Sequence, residues 1–350
     1  VRGRSRTAER SVRRTRALER GLLVAAFCLV GVGAVAGASR AEEGAMRAEV
    51  AFSFTDPAII ESSGLVAGDL FVTVNDSGDG PRIFTVDPAT GETVGTTTWQ
   101  GEAVDVEALA PAGPGEVWVG DTGDNLARRS SISITRVPFG TGERAVAGER
   151  FELVYPDGAH DAETLLVHPE TGQVLVVVKE FIGRVYAAPR RLDPDGPNRL
   201  REVGSALGIS TDGSFWPDGE HLMIRNYGQA AVYTWPGLER LETLTLPTQE
   251  QGEGLAVSAD GEVYLSSEGE GSEVLRIELP RALRAELEGD PAATGPSRGP
   301  GAEDTAAPEE LAPPADDGGT EFGFGVNPWI VGIVVGVIGV LVLLRALRPR

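Results

Sequence analysis

The stretch 163–180, ETLLVHPETGQVLVVVKE, decides the fold, because it is met again at 253–268 as EGLAVSADGEVYLSSE. Each copy reads acid, small residue, apolar run, tight turn, apolar run, polar pair. Apolar runs bounded by Pro, Gly and Asp describe two antiparallel strands joined by a short turn. Three more copies stand upstream and between. Ser63-Gly64-Leu65-Val66 leads to LFVTV and Asn75-Asp76. Glu107-Ala108-Leu109-Ala110 leads to EVWV and Gly120-Asp121, and Asp212-Gly213-Ser214-Phe215 leads to EHLMI and Arg225-Asn226. The starts are 44, 56, 49 and 41 residues apart.

Each unit continues with more strand-like runs. The first adds RIFTVD (82–87) and ETVGTTTW (92–99), and the fourth adds AVYTW (231–235) and LETLTL (241–246). Four antiparallel strands per repeat predict an all-β chain folded as a β-propeller over 48–285. Five blades are expected, with six as the alternative. A β-sandwich is the structural runner-up, but it leaves the recurring unit unexplained. The fifth unit supplies only three strands, ending at VLRIEL (274–279), and EVAFSF (49–54) is expected to supply the fourth. A borrowed strand closes the ring and removes its free edges. Only 281–288, RALRAELE, reads as a helix.

The chain has 350 residues, one cysteine (Cys28) and a net charge of −21, so neither an intramolecular disulfide nor a Cys-based zinc site is available. Its charge is segregated. Residues 1–20 hold eight arginines against Glu9 and Glu19, and Arg345, Arg348 and Arg350 close the chain. The acidic part lies between, which argues against nucleic acid as a partner.

Both basic ends abut apolar runs. Residues 1–38 combine a basic region with GLLVAAFCLVGVGAVAGA (21–38). This reads either as a secretory signal cleaved after small residues or as an uncleaved anchor. Residues 326–344 are long enough to span a bilayer once, with Trp329 at the interface. The arginines of 345–350 mark the cytoplasmic side, so the repeat domain is expected outside the cell membrane. The topology is single-pass when the first run is cleaved and two-pass when it is not. Gly332 and Gly336 make a G-x-x-x-G face, the expectation of a dimer. The segment 286–325, rich in Pro, Ala, Gly and acids, reads as an extended stalk.

Blade geometry predicts where the repeated polar residues meet. The start of each first strand and the end of each second lie at one face, near the axis. Glu107, Glu163, Asp212 and Glu253 begin first strands, and Ser63 takes that place in the first blade. Glu61, Asp105 and Asp161 stand two residues earlier. Asn75, Asp76, Asp121, Lys179, Glu180, Arg225, Asn226 and Glu268 end second strands. Crowded carboxylates take up protons or bind a cation. Oxygen donors suit Ca²⁺ or another hard divalent ion, with Glu107, Asp121, Glu163, Asp212 and Glu253 as the expected ligands. Asn75, Asp76, Lys179, Arg225 and Asn226 are the expected contacts for a small-molecule, anionic or protein ligand. Lys179 is the only lysine in the chain. Lys179, Arg225 and His160, beside Asp161, are the candidates for catalysis. The loop DTGDNLARR offers Asp121, Asp124 and Asn125 either to Ca²⁺ or to an ordinary self-capping turn. His168 and His221 fall in turns at the opposite face. No G-x-S-x-G elbow, H-E-x-x-H pair or phosphate-binding Gly loop is present, which removes support from the common hydrolase and nucleotide-binding classes.

The phrases SSGL…VTVNDSG, DVEALA…VWVGDTGDN, YPDGAHDAETLLV and VLVVVKE resemble an uncharacterised bacterial family of secreted β-propellers. That family is loosely similar to gluconolactonase-like, phytase-like and esterase-like calcium-binding propellers. The resemblance implies an acidic mouth. It implies a metal held near Glu107, Asn75 and Asp121 in the gluconolactonase manner, or Lys179 and Arg225 in phytase-like roles. Two functions are therefore expected: a membrane-anchored ligand- or cation-binding module, and alternatively a divalent-metal-dependent hydrolase of lactones, esters or phosphoesters.

Overall fold

The computed structural model describes residues 46–289 apart from Ser77. The apolar runs 21–38 and 326–344, the stalk beyond residue 289, the glycine pair and both basic ends lie outside the described residues. Among the described residues no helix is long and apolar enough to cross a membrane.

The domain is a five-bladed propeller. Blade one is built from Ser62–Val66, Phe71–Asn75, Arg82–Val86 and Thr93–Trp99. Blade two uses Val106–Gly113, Glu116–Asp121, Ile132–Pro138 and Glu149–Val154. Blade three uses Ala162–Val167, Val174–Val178, Gly183–Ala187 and Arg201–Ala206, and blade four Asp212–Phe215, His221–Arg225, Gln229–Thr234 and Arg240–Thr245. Blade five uses Gly252–Val257, Val263–Ser267 and Glu273–Ile277, and its outer strand is the chain's first, Ala48–Ser53. The strand expected at 49–54 thus closes the ring. Blades one and two each gain a parallel fifth strand, Gly142–Val146 on Thr93–Trp99 and Asn198–Arg199 on Glu149–Val154. The first of these occupies part of the long 56-residue second repeat.

The inner strands lack polar–apolar alternation because a neighbouring blade covers each face. Ser62–Val66, Phe71–Asn75 and Val174–Val178 are buried at every position. The outer strand Thr93–Trp99 recovers alternation, with one face reaching solvent. The small residue after each hub residue has a steric cause. A Cβ on Gly64 would lie 2.5 Å from the Leu109 amide nitrogen of the next blade, and one on Gly254 would collide with Ser266 Oγ. The inner strands pack in a closed circle because these positions lack bulk.

A buried side-chain oxygen crosses every seam. Ser63 Oγ donates to the Glu107 carbonyl (2.7 Å), Thr122 Oγ1 to that of Ala162 (2.7 Å), Ser210 Oγ to that of Val178 (3.4 Å) and Thr211 Oγ1 to that of Glu253 (3.0 Å). Ser62 Oγ donates to Ser266 Oγ (3.1 Å) where the first and fifth blades meet. Aromatic packing seals that closing seam: Phe71 contacts Phe52 on the closing strand at 5.0 Å and Tyr264 at 4.9 Å, both edge-on. The helix Arg281–Leu287 buries Leu283, Ala285 and Leu287 against the apolar cluster of blades four and five.

Phe52→Ala is expected to lower unfolding free energy by about 3 kcal/mol, the usual scale for emptying a buried Phe site. Urea denaturation measures it. A loss under about 0.5 kcal/mol would show that the closing strand does not hold the ring.

Candidate functional site

The polar residues of the repeat gather at one mouth, but they do two different jobs. Some are spent on the scaffold. Asn75 Oδ1 accepts the amides of Ile60 (3.0 Å) and Glu61 (3.2 Å), and its Nδ2 donates to the Ala58 carbonyl (2.8 Å). Asp121 does the same one blade on, accepting from Asp105 N (3.0 Å) and Val104 N (3.3 Å) while pairing with Arg129 (2.8 Å). Both fix the loop that enters the first strand of their own blade.

Asp212 and Arg225 tie blade four to blade five. Asp212 is fully buried and accepts from Gly213 N (2.8 Å) and Leu255 N (2.7 Å). Arg225, also fully buried, donates to the carbonyls of Gly254 (2.9 Å) and Ser266 (3.3 Å) and to Gln249 Oε1 (3.2 Å). Asn226 caps its own turn through Gly228 N (3.1 Å) and Gln229 N (2.9 Å). Asp124 accepts the amides of Arg128 and Arg129, each at 2.6 Å, so the 121–129 loop follows its turn reading. Sequence alone did not separate these residues from the ones facing the axis, because their partners are amides and carbonyls of other segments.

The remaining acids face one another. Asp76, Asp105 and Glu107 each present a carboxylate oxygen within 4.8 Å of the other two, with Glu107 buried. Asp76 was expected as a ligand contact and Asp105 only as a mouth residue, and the structure unites them with Glu107. Gly123 closes over this trio: a Cβ there would sit 2.5 Å from the Asp105 carboxylate and 2.8 Å from Glu107 Oε1. Burial pushes Glu107 up to about 11, assisted by the charges of Glu163, Asp76 and Asp105 and a hydrogen bond with Asp76. Without a counter-charge the trio therefore holds a proton at neutral pH.

On blade three, Lys179 Nζ pairs with Glu163 Oε1 and lies 5.3 Å from the centre of the Tyr227 ring. Burial works against the Lys179 charge, and Glu163 outweighs it, so the ammonium is held charged. Burial also raises Glu163, to about 8, against the pull of Lys179. The second oxygens of Glu163 and Glu253 are buried and have no hydrogen-bond partner. Burial, then the charges of Glu253, Asp76 and Glu61, raise Glu268 to about 7.

His160 belongs to a separate knot on blade three. Its Nδ1 faces Glu180 Oε1 (2.8 Å) and its Nε2 faces Asp157 Oδ1 (3.1 Å). Arg184 joins both acids at 2.7 Å, and Tyr186 donates to Asp157 at 2.9 Å. With a carboxylate on each ring nitrogen, His160 has none free for a ligand. His168 and His221 serve turns, through Glu170 N (3.2 Å) and Asp218 Oδ2 (2.6 Å) respectively.

No known protein family matches the chain, and no curated protein does. Among solved structures it is similar to a gluconolactonase of Xanthomonas campestris, at 13% identity over 67% of this chain and 90% of that one, with a TM-score of 0.40. It is also similar to streptogramin B lyase, at 11% identity over 67% and 98%, with a TM-score of 0.38. Both likenesses are distant.

Two outcomes are expected. A Glu107 protonated in the fold and ionised when unfolded stabilises fully below about pH 4.5, and its contribution is lost as pH rises toward 11. The slope is about 1.4 kcal/mol per pH unit for one such group. Glu107→Gln is therefore expected to flatten the pH dependence of stability between pH 6 and 9 in EDTA, read from urea melts; an unchanged slope contradicts the proton-holding trio. Arg225→Ala is expected to cost about 3–5 kcal/mol, because it strips a buried charge from Asp212 and orphans buried acceptors. A loss under about 1 kcal/mol would refute its scaffold role.

Proposed function

We propose that the propeller is an extracytoplasmic binding module whose mouth takes a divalent cation of the Ca²⁺ type through Asp76, Asp105 and Glu107. The observation that carries this is three carboxylates within 4.8 Å of one another, with Glu107 buried and the two aspartates half-buried. Such a set is costly without compensating charge, and its donors are all oxygen, the chemistry that hard cations prefer. The cation would displace the Glu107 proton and draw on the neighbouring Glu163 and Glu253 oxygens that lack hydrogen-bond partners. In this reading the apolar run 326–344 anchors the module and residues 345–350 stay inside.

A metal-dependent hydrolase is the second reading. It is favoured by Lys179, which stands charged beside Glu163 and Tyr227 at the same mouth as the acid trio. A cation and an ammonium at one mouth would polarise a bound lactone, ester or phosphoester.

Thermal melts of the protein in EDTA, Ca²⁺, Mg²⁺ and Mn²⁺ test the cation site. Saturation at a hundred times Kd stabilises by about 2.7 kcal/mol, so a rise of several degrees is expected, abolished by Glu107→Gln. No shift with any cation would end the proposal. Turnover of generic ester and phosphoester substrates, lost in Lys179→Ala with the thermal shift kept, would select the hydrolase.

A further inference from the structure

Seven large apolar side chains stand exposed among the described residues, and six of them rim the acidic mouth. Ile60 belongs to the loop entering blade one, and Val104 to the loop entering blade two. Leu126, Phe181 with Ile182, and Tyr227 occupy the loops between second and third strands of blades two, three and four. All these loops share the face where first strands begin and second strands end. The seventh, Val50, lies on the closing strand. The turns of the opposite face carry none. Single exposed apolar residues are ordinary, but confinement to one rim is the mark of a contact surface.

The rim is built to hold these side chains outward. Phe181 is 95% exposed. Its loop is nevertheless tied down: Ile209 N donates to the Glu180 carbonyl (2.7 Å), Arg184 N donates to that of Ile182 (2.9 Å), and Arg184 pairs with Glu180 (2.7 Å). A Cβ on Gly208 would collide with the Phe181 carbonyl, so the neighbouring loop packs directly against it. An aromatic presented on a pinned backbone loses little freedom on contact, as interface anchors require.

Charge decides what the rim receives. Inside it lie Asp76, Asp105, Glu107, Glu163, Glu253 and Glu268, while Lys179 is already engaged by Glu163 and Arg225 is fully buried. We infer that this mouth docks a polypeptide segment that presents an Arg or Lys side chain to the hub, flanked by apolar side chains that rest on Phe181, Ile182, Leu126 and Val104. An anionic bilayer would accept the apolar rim but is opposed by the carboxylates within it. The inference shares the acids of the proposed cation site and does not require the cation.

The test uses the full 350-residue chain in a non-ionic detergent with EDTA, so its result is independent of cation binding. The probes are three immobilised peptide pools with a central Arg, Glu or Leu and randomised flanks, and phosphatidylglycerol nanodiscs. Retention on the Arg pool at least tenfold above the Glu and Leu pools, with Leu, Phe or Tyr enriched in the flanks, is expected. Phe181→Asp/Ile182→Asp, and separately Val104→Asp, should remove most of it while leaving the melting temperature unchanged. Equal retention on all pools, indifference to both variants, or stronger binding to the nanodiscs than to any peptide would overturn the inference.

Discussion

Closure of the ring is the constraint from which everything at the mouth follows. Five inner strands fit around one axis through close approaches between blades, which at Gly64 and Gly254 leave no room for a side chain. The same approach drives Glu107, Glu163 and Glu253 toward one another and out of water. Like charges at such range in a desolvated site raise one another's proton affinity. The acid trio and the lifted Glu107 are thus consequences of the packing that makes the propeller.

Much of this was legible in the sequence. The unit of acid, small residue, strand, turn and strand gave the inner strands, and counting it gave five blades. The shortfall in the fifth unit pointed to the closing strand at 48–53. The two parallel outer strands, Gly142–Val146 and Asn198–Arg199, were not legible. They are short and polar, and they owe their strand character to a neighbouring edge rather than to their own pattern. The mouth was legible as a place but not in its division of labour. Asp212 and Glu253 are the same element of the repeat, yet Asp212 holds the Leu255 amide 43 residues away while Glu253 keeps a buried oxygen without a partner. Nothing local in the sequence tells which way each carboxylate turns.

The two ends of the axis differ in kind. Opposite the acids, Val66, Val167, Phe215 and Trp216 help line an open apolar cavity of about 710 Å³, bordered by the turns that follow the first strands. Inner strands buried on both faces favour Val and Leu along their length, and polarity appears only where they end. The repeat places an acid at the starting end of most inner strands and a plain turn at the other. The repeated acids are therefore confined to a single opening, and the tethered side chains of the rim surround that opening alone.

A scaffold that needed only to be stable would not keep this mouth. Replacing buried charges by apolar residues of similar volume is often neutral or stabilising, and proteins depart from local consistency mainly where function requires it. The polar residues spent on the scaffold are satisfied: Asn75, Asp121, Asp212 and Arg225 each meet donors or acceptors that match them. Glu163 and Glu253 are not: each retains a buried oxygen with no partner, near a Glu107 whose proton affinity burial raises. Among the described residues, these two are the carboxylates that keep a buried oxygen without a partner. The proposed cation or cationic side chain at the mouth would meet those two oxygens without rearranging a blade.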